Sequence, residues 1–225
     1  MFVSIHVPKT AGTALAKIFD ETSGRKVLFD YGTERDLVSV RTCDPELKKH
    51  KEFIESYFHY LHGHFHYLKY SCVFPDARYI ATVRNPVSRI ISQYEHILRA
   101  GDRQVERHRM IMDGEMGLLD FARIDFIANA HWYYLEGRDV TDYDFVFVQE
   151  RMGESVKRFS ESFHLPAVAG YIGLFGDIPR VNAKPSNWFF ARRPRLSRTD
   201  KKEIEKFCFK DNEIYRLASE MLDRR

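Results

Sequence analysis

The chain of 225 residues is long enough for one α/β domain with a sizeable core, and we expect a single domain over residues 1–225. Its composition, 44% hydrophobic and 30% charged residues, is typical of a soluble globular protein, and no apolar run approaches the length of a membrane span. The net charge is only +3, so nothing favours nonspecific binding to nucleic acid, although a local anion site remains compatible with it.

The first predicted elements are a strand, a tight loop and a helix. Residues 1–5 form a short apolar run of strand type, and residues 13–19 place apolar side chains at helical spacing. A loop that enters a helix leaves backbone N–H groups without partners at the positive end of the helix dipole, so a phosphate or sulfate group is favoured there. This arrangement predicts a phosphate cradle between the strand and the helix.

The side chains of the loop suit an anion as well. Lys9 supplies a positive charge, Gly12 allows close approach of the backbone, and the hydroxyls of Thr10 and Thr13 can donate to oxygens or cap the helix. The order differs from the P-loop pattern G-x-x-x-x-G-K-[ST], because the lysine precedes the glycine. An ordinary strand-to-helix turn, with Thr10 or Thr13 as N-cap and a solvated Lys9, is the alternative.

Three histidines, His62, His64 and His66, alternate after a charged amphipathic helix predicted over residues 45–60. Alternate positions on a strand face the same side, so a metal site is one interpretation. No nearby cysteine or well-spaced carboxylate completes a ligand set, so we expect no metal. Packing among the neighbouring aromatic side chains is the alternative for each histidine.

A second strand–turn–helix unit follows. Residues 78–83 form a run typical of a buried strand, and residues 87–98 are predicted to form a helix with Pro86 in its first turn. Arg84 lies at the strand end and Ser92 two turns into the helix, so together they are candidates for holding a second phosphate.

The remainder of the chain continues this alternation. We expect two helical pieces over 118–135, a strand over 143–148, a helix over 151–163, a long irregular region over 166–198, and a helix over 197–222 capped by Ser197 or Thr199. The cysteines, Cys43, Cys72 and Cys208, lack the spacing of metal ligands and are expected to be reduced core thiols. Strands that alternate with helices predict a three-layer α/β domain with a central, mainly parallel sheet.

Two motifs resemble those of the sulfotransferases that use 3′-phosphoadenosine 5′-phosphosulfate (PAPS). They are Pro-Lys-Thr-Ala-Gly-Thr at 8–13 and Val-Arg-Asn-Pro-Val-Ser-Arg-Ile-Ile-Ser-Gln-Tyr at 83–94, and they are most similar to the carbohydrate branch that includes heparan and uronyl 2-O-sulfotransferases. The resemblance implies a P-loop-like sulfotransferase fold in which Arg84 and Ser92 bind the 3′-phosphate of PAPS. It implies that the 5′-phosphosulfate is bound by Pro8, Lys9, Thr10, Ala11, Gly12, Thr13 and Ala14.

The resemblance also implies catalytic roles. His62-Gly63-His64 matches the histidine pair of the 2-O-sulfotransferases, which implies a general base that removes the proton of the attacking hydroxyl. We expect His64 to be the base and His62 to orient it or the acceptor, although the reverse assignment stays open. Lys9 would neutralise charge on the leaving phosphate.

A late basic loop covers the nucleotide in sulfotransferases, so Asn182, Lys184 and Arg192 are candidates for closing the cofactor site; a solvated basic loop is the alternative. Residues 129–135 resemble a family segment that often reads Asn-x-Gln-x-x-x-Leu, with His131 in place of the glutamine. The arginines at 103–109 could face an anionic acceptor, but an exposed charged segment is the commoner explanation.

The implied acceptor is a hydroxyl of a sugar, glycan or glycolipid. Golgi members of the family carry a membrane anchor and this chain does not, so we expect a cytoplasmic protein. Two other functions remain in play, a small-molecule kinase that uses residues 8–13 as a degenerate P-loop, and a catalytically inactive nucleotide-binding module.

Overall fold

The structure is a computed structural model, and it describes residues 1–24, 26–31, 45–175 and 196–224. The five strands are β1 (Phe2–His6), β2 (Val27–Tyr31), β3 (Tyr60–His64), β4 (Arg78–Val83) and β5 (Phe145–Val148). The helices before β5 are α1 (Gly12–Thr22), α2 (Pro45–Lys49), α3 (Lys51–Tyr57), α4 (Tyr67–Ser71), α5 (Pro86–Ala100), α6 (Glu106–Met112), α7 (Leu118–Arg123), α8 (Asp125–Ala128) and α9 (Ala130–Leu135). After β5 come α10 (Met152–Ser162), α11 (Pro166–Phe175), α12 (Arg198–Phe207) and α13 (Phe209–Arg224).

The strands form one parallel sheet in the order β2-β3-β1-β4-β5. Helices cover both faces, which confirms the predicted α/β class with a central parallel sheet. On one face Phe19 of α1 stacks on Tyr60 at 4.3 Å and Phe159 of α10 packs against Phe145 and Phe147. On the other face Tyr67 of α4 packs against Tyr79.

The strand order fixes where a ligand site forms. From β1 the chain crosses to β2 and β3 on one side, whereas from β4 it crosses to β5 on the other. The loops after β1 and β4 therefore diverge and leave a crevice at the carboxyl ends of these two neighbouring strands. The predicted phosphate cradle and Arg84 follow these two strands.

Several boundaries differ from the predicted ones. The helix expected over 45–60 is two short helices, and the two pieces expected over 118–135 are three. The irregular region expected from residue 166 is wrong for Pro166–Phe175, which is a helix.

The predicted C-terminal helix begins at its Ser197 N-cap but breaks at Cys208. Side-chain bonds replace helical ones at the break, because the Asn129 amide donates to the carbonyl of Phe207 and accepts from the backbone of Lys210.

The prediction of three reduced thiols is wrong for Cys72, which is disulfide-bonded. Cys208 is a buried free thiol, and burial raises its pKa to about 12. Cys43 lies outside the described residues. Within the described part of the chain, no helix has the length and apolar character needed to cross a membrane.

Candidate functional site

The cradle loop between β1 and α1 has an unusual backbone. Lys9 and Ala11 both adopt left-handed conformations, with φ of 71° and 68°. Such conformations cost about 1–2 kcal/mol for residues that carry a Cβ, and they concentrate at functional sites. Ala11 is the N-cap of α1, and no side-chain hydrogen bond from a described residue caps this helix. The first turn of α1 therefore presents N–H groups to an anion.

The two threonines of the cradle have different environments. Thr10 is buried, and its hydroxyl donates to the carbonyl of Val7 at 2.7 Å, so this side chain holds the loop together. Thr13 is exposed on the first turn of α1. Neither is the N-cap, so the alternative of a threonine-capped ordinary turn does not hold.

The position of Gly12 has no room for a side chain, because it lies against His6, a histidine that the sequence analysis did not single out. A Cβ on Gly12 would lie 2.0 Å from the ring of His6, the last residue of β1. The buried His6 ring stacks on His62 at 5.3 Å and lies 4.2 Å from the His64 ring. Its position at the end of the strand before the cradle was the signal in the sequence that it belongs to the site.

His62 is enclosed and fully bonded. Its Nδ1 lies 2.8 Å from the hydroxyl of Ser4, and its Nε2 lies 3.2 Å from the carbonyl of Gly12. The side chain is 0% exposed, and burial, followed by the effect of His64, lowers its pKa to about 3. A ring with both nitrogens bonded to protein in this way orients its neighbours and has no nitrogen for a substrate proton.

His64 ends β3 one step further along and is half-buried. Its Nδ1 donates to the carbonyl of His6 at 2.6 Å, which fixes the neutral ring in the tautomer with the lone pair on Nε2. This is the nitrogen arrangement that a general base needs. His66, by contrast, is structural, because its Nδ1 accepts the N–H of Leu68 and caps α4.

Arg84 joins the cradle to β4. One of its terminal nitrogens donates to the carbonyl of Lys9 at 3.0 Å, while its Nε is buried and has no hydrogen-bond partner among the described residues. Burial lowers the pKa of the guanidinium, which nevertheless stays charged at physiological pH. A buried cationic donor of this kind fits an incoming phosphate group.

The helix α5 carries the predicted partner of Arg84. Ser92 is half-buried there, and His96 lies one turn further on the same face. Burial, followed by the charges of Lys9 and Arg99, lowers the pKa of His96 to about 4. The charge of Lys9 therefore acts on this face of α5. His96 was not singled out in the sequence analysis.

A buried polar cluster contacts the backbone of Arg84. The backbone N–H of Arg84 donates to Nε2 of His131 at 3.2 Å, and Nδ1 of His131 donates to the carboxylate of Asp211 at 2.6 Å. Asp211 also accepts the backbone N–H groups of His131 and Trp132. Asn129 accepts the N–H of Asp211 at 3.4 Å. We refer to Asn129, His131 and Asp211 as the clasp.

The clasp is closed to solvent, since Asn129, His131, Asp211 and Arg89 are all 0% exposed. Burial alone would raise the pKa of the Asp211 carboxyl, but His131 and Arg89 hold it below its usual range. Asn129 and His131, in the segment that resembles the family pattern Asn-x-Gln-x-x-x-Leu, therefore contact the C-terminal helices.

Other predicted residues lie elsewhere. Arg103 and Arg109 form exposed ion pairs with Asp113, and Arg109 also pairs with Glu115. Asn182, Lys184 and Arg192 lie outside the described residues. Within the described part, no group of three or more His, Cys, Asp or Glu side chains is arranged to hold a metal ion.

Comparisons with known proteins identify one family and several solved structures that are similar to this chain, including the following two. A family model described as "Sulfotransferase family" matches residues 1–219. Mouse sulfotransferase SULT7A1 complexed with PAP is similar with a TM-score of 0.49 and 11% identity, over 100% of this chain and 88% of that one. A sulfotransferase from Alicyclobacillus acidocaldarius has a TM-score of 0.44 and 14% identity, over 97% and 95% of the two chains. No curated protein matches.

Proposed function

Because the chain belongs to the sulfotransferase family, we propose that it transfers the sulfuryl group of PAPS to a hydroxyl of a carbohydrate or glycoconjugate acceptor. One observation carries the proposal. The His64 base candidate, the cradle and Arg84 stand at the carboxyl ends of three neighbouring parallel strands, β3, β1 and β4. Base, anion cradle and second cation thus converge on one edge of the sheet, which direct transfer between two bound substrates requires.

The cationic character of the site fits the donor, which carries two separate anionic groups. We assign residues 8–14 to the 5′-phosphosulfate, because the uncapped start of α1 and Lys9 meet there. We assign Arg84 and Ser92 to the 3′-phosphate, since the buried Nε of Arg84 still needs an acceptor. Lys184 stays a predicted ligand of the cofactor.

The donor, when bound, supplies an activated sulfuryl group joined to the 5′-phosphate through an oxygen. His64 accepts the proton of the acceptor hydroxyl at Nε2 while the hydroxyl oxygen forms the new bond to sulfur. The bond from sulfur to the bridging oxygen breaks, and its electron pair leaves with the phosphate. Lys9 neutralises the charge that grows on this oxygen, and His62 holds the imidazole stack in place.

Calorimetric titration with 3′-phosphoadenosine 5′-phosphate (PAP), without magnesium, tests the assignment of the cofactor. Replacing Arg84 by alanine removes a charged contact worth about 1.5–3 kcal/mol, so binding should weaken roughly tenfold to a hundredfold or more. Arg78→Ala is the matched control, because this exposed arginine lies at the opposite end of β4 and packs on Phe163. Its affinity should equal that of the wild type.

His64→Gln tests the base. We expect PAP affinity to be retained while sulfuryl transfer to a panel of glycosides is lost. Retained transfer would overturn the base assignment. Wild-type protein that binds PAP but transfers to no acceptor would favour the inactive module. Failure to bind PAP, together with magnesium-dependent binding of a nucleoside triphosphate, would favour the kinase.

The cytoplasmic location stays a prediction. The Cys72 disulfide weighs against it, because persistent disulfides form mainly in oxidising compartments.

A further inference from the structure

Two exposed aromatic rings lie beside the proposed base. Phe29 and Tyr31 are 45% and 44% exposed on β2, the edge strand of the sheet. Being two residues apart they share one face, and their ring centroids lie 6.2 Å apart with planes inclined by 23°. We call this pair the aromatic shelf.

The shelf borders His62 and His64 directly. The register pairs Phe29 with His62 and Tyr31 with His64, so all four side chains lie on the same face of the sheet. The Tyr31 ring lies 4.9 Å from the His64 ring, nearly at right angles to it. The Tyr31 hydroxyl lies 3.3 Å from Nδ1 of His6, and burial raises the pKa of Tyr31 to about 12, so the hydroxyl stays protonated.

These contacts fix an exposed aromatic surface in one orientation. A molecule that brings a hydroxyl to His64 across the edge strand β2 would place its neighbouring atoms over Tyr31 and Phe29. Flat apolar walls with a few convergent polar groups are typical of sites for small organic ligands. A pyranose ring offers a C–H face to such a wall and carries hydroxyls around its edge, which suits a base at the edge of the shelf.

The charge around the shelf favours a neutral acceptor. Among the described residues, the ring and hydrogen-bond contacts of Phe29 and Tyr31 are with one another and with His6, His62 and His64. Burial, followed by the effects of His64, His62 and Lys9, holds the pKa of His6 well below its ordinary value, so the His6 ring is neutral at neutral pH. Arg103 and Arg109 form exposed ion pairs with Asp113 and Glu115, respectively.

We propose that the aromatic shelf is the acceptor subsite and that it binds the apolar face of an uncharged pyranose, presenting one ring hydroxyl to His64. The proposal rests on the proposed sulfuryl transfer and makes the acceptor a neutral sugar rather than a polyanionic glycan.

The test compares sulfuryl transfer to methyl β-D-glucopyranoside, methyl β-D-galactopyranoside, methyl β-D-glucuronoside and phenol. We expect transfer to a neutral glycoside to exceed transfer to the glucuronoside and to phenol. Phe29→Ala should raise the KM for the neutral glycoside at least tenfold while leaving PAP affinity within twofold of the wild type.

The chain supplies a matched control in Phe53 and Tyr57, a second exposed and stacked Phe–Tyr pair, on α3. Phe53→Ala with Tyr57→Ala should leave both KM and PAP affinity within twofold. With PAP bound normally and sulfuryl transfer detected to at least one of the four acceptors, the shelf is overturned by an unchanged KM in Phe29→Ala or by preference for the glucuronoside or phenol. PAP binding without transfer to any acceptor counts against the proposed function. Failure of the wild-type protein to bind PAP overturns the proposed function instead.

Discussion

Replacing Asp211 by alanine should be one of the most destabilising single changes in this fold. The carboxylate accepts from the His131 ring and from two backbone N–H groups, and its oxygen lies 4.0 Å from Nε of Arg89. Removing it leaves these buried donors without an acceptor and a buried guanidinium without its counterion.

The magnitude follows from the burial. Breaking a buried ion pair by removing one partner costs about 3–5 kcal/mol, against a total stability of about 5–15 kcal/mol for a typical domain. At a urea slope near ~2 kcal/mol/M, the unfolding midpoint should fall by roughly 2 M. Asp211→Asn keeps the size and one acceptor oxygen, so it should lie between the wild type and the alanine variant.

Urea unfolding followed by tryptophan fluorescence measures this change. Asp223→Ala is the control on the same helix, because Asp223 is an exposed partner of Arg151 and should leave the midpoint unchanged. A midpoint for Asp211→Ala equal to that of the control would refute the reasoning, since the clasp would then contribute nothing to stability.

Three further outcomes are expected. Gly12→Ala should lower both the melting temperature and the affinity for PAP, because the new Cβ collides with His6 and overpacking costs about 1–3 kcal/mol. The free energy of unfolding should decrease as pH falls from about 6.5 towards 3, because the unfolded chain binds a proton on His62 that the folded chain, with its pKa of about 3, does not; His62→Gln should flatten this slope in urea titrations at several pH values. Alkylation of denatured, unreduced protein should label Cys208 and not Cys72, as read by peptide mass spectrometry.

Each of these has a contrary result. Gly153→Ala is the control for Gly12, because the Cβ that it would add lies more than 4 Å from every described atom outside its own helix backbone and chain neighbours; equal losses in both variants would remove the steric argument. A pH slope unchanged by His62→Gln would mean that this ring does not titrate differently in the two states. Labelling of Cys72 before reduction would contradict the disulfide.

The cradle and the Arg84 turn could be predicted because both are local. Each is a strand, a loop and a helix within about 20 residues, and hydrophobic periodicity together with Pro86 and Gly12 marks the transitions. The parallel sheet follows from the alternation of strands and helices. The helix at Pro166–Phe175 was not predicted, because the sequence analysis interprets the whole segment over 166–198 as irregular.

The clasp could not be predicted, because Asp211 lies about 80 residues from Asn129 and His131 in the sequence and only the tertiary fold brings them together. Asn129 and His131 stand in an apolar helical segment, where polar residues indicate buried hydrogen bonds as readily as a ligand site. Their complete burial decides between these readings. Asn129 and His131 therefore have structural roles in this chain.

The choice of His64 over His62 as the proposed base also depends on tertiary contacts. The two residues share a strand and a face, so periodicity treats them alike. The first turn of α1 covers His62, because the Gly12 carbonyl accepts a hydrogen bond from the His62 ring, and Phe19 packs against the same ring. His64, one pleat further, lies beyond this cover and beside the exposed Tyr31. Because the proposed base must meet both the proposed sulfuryl donor and an acceptor from solvent, we propose His64 rather than His62 for this role.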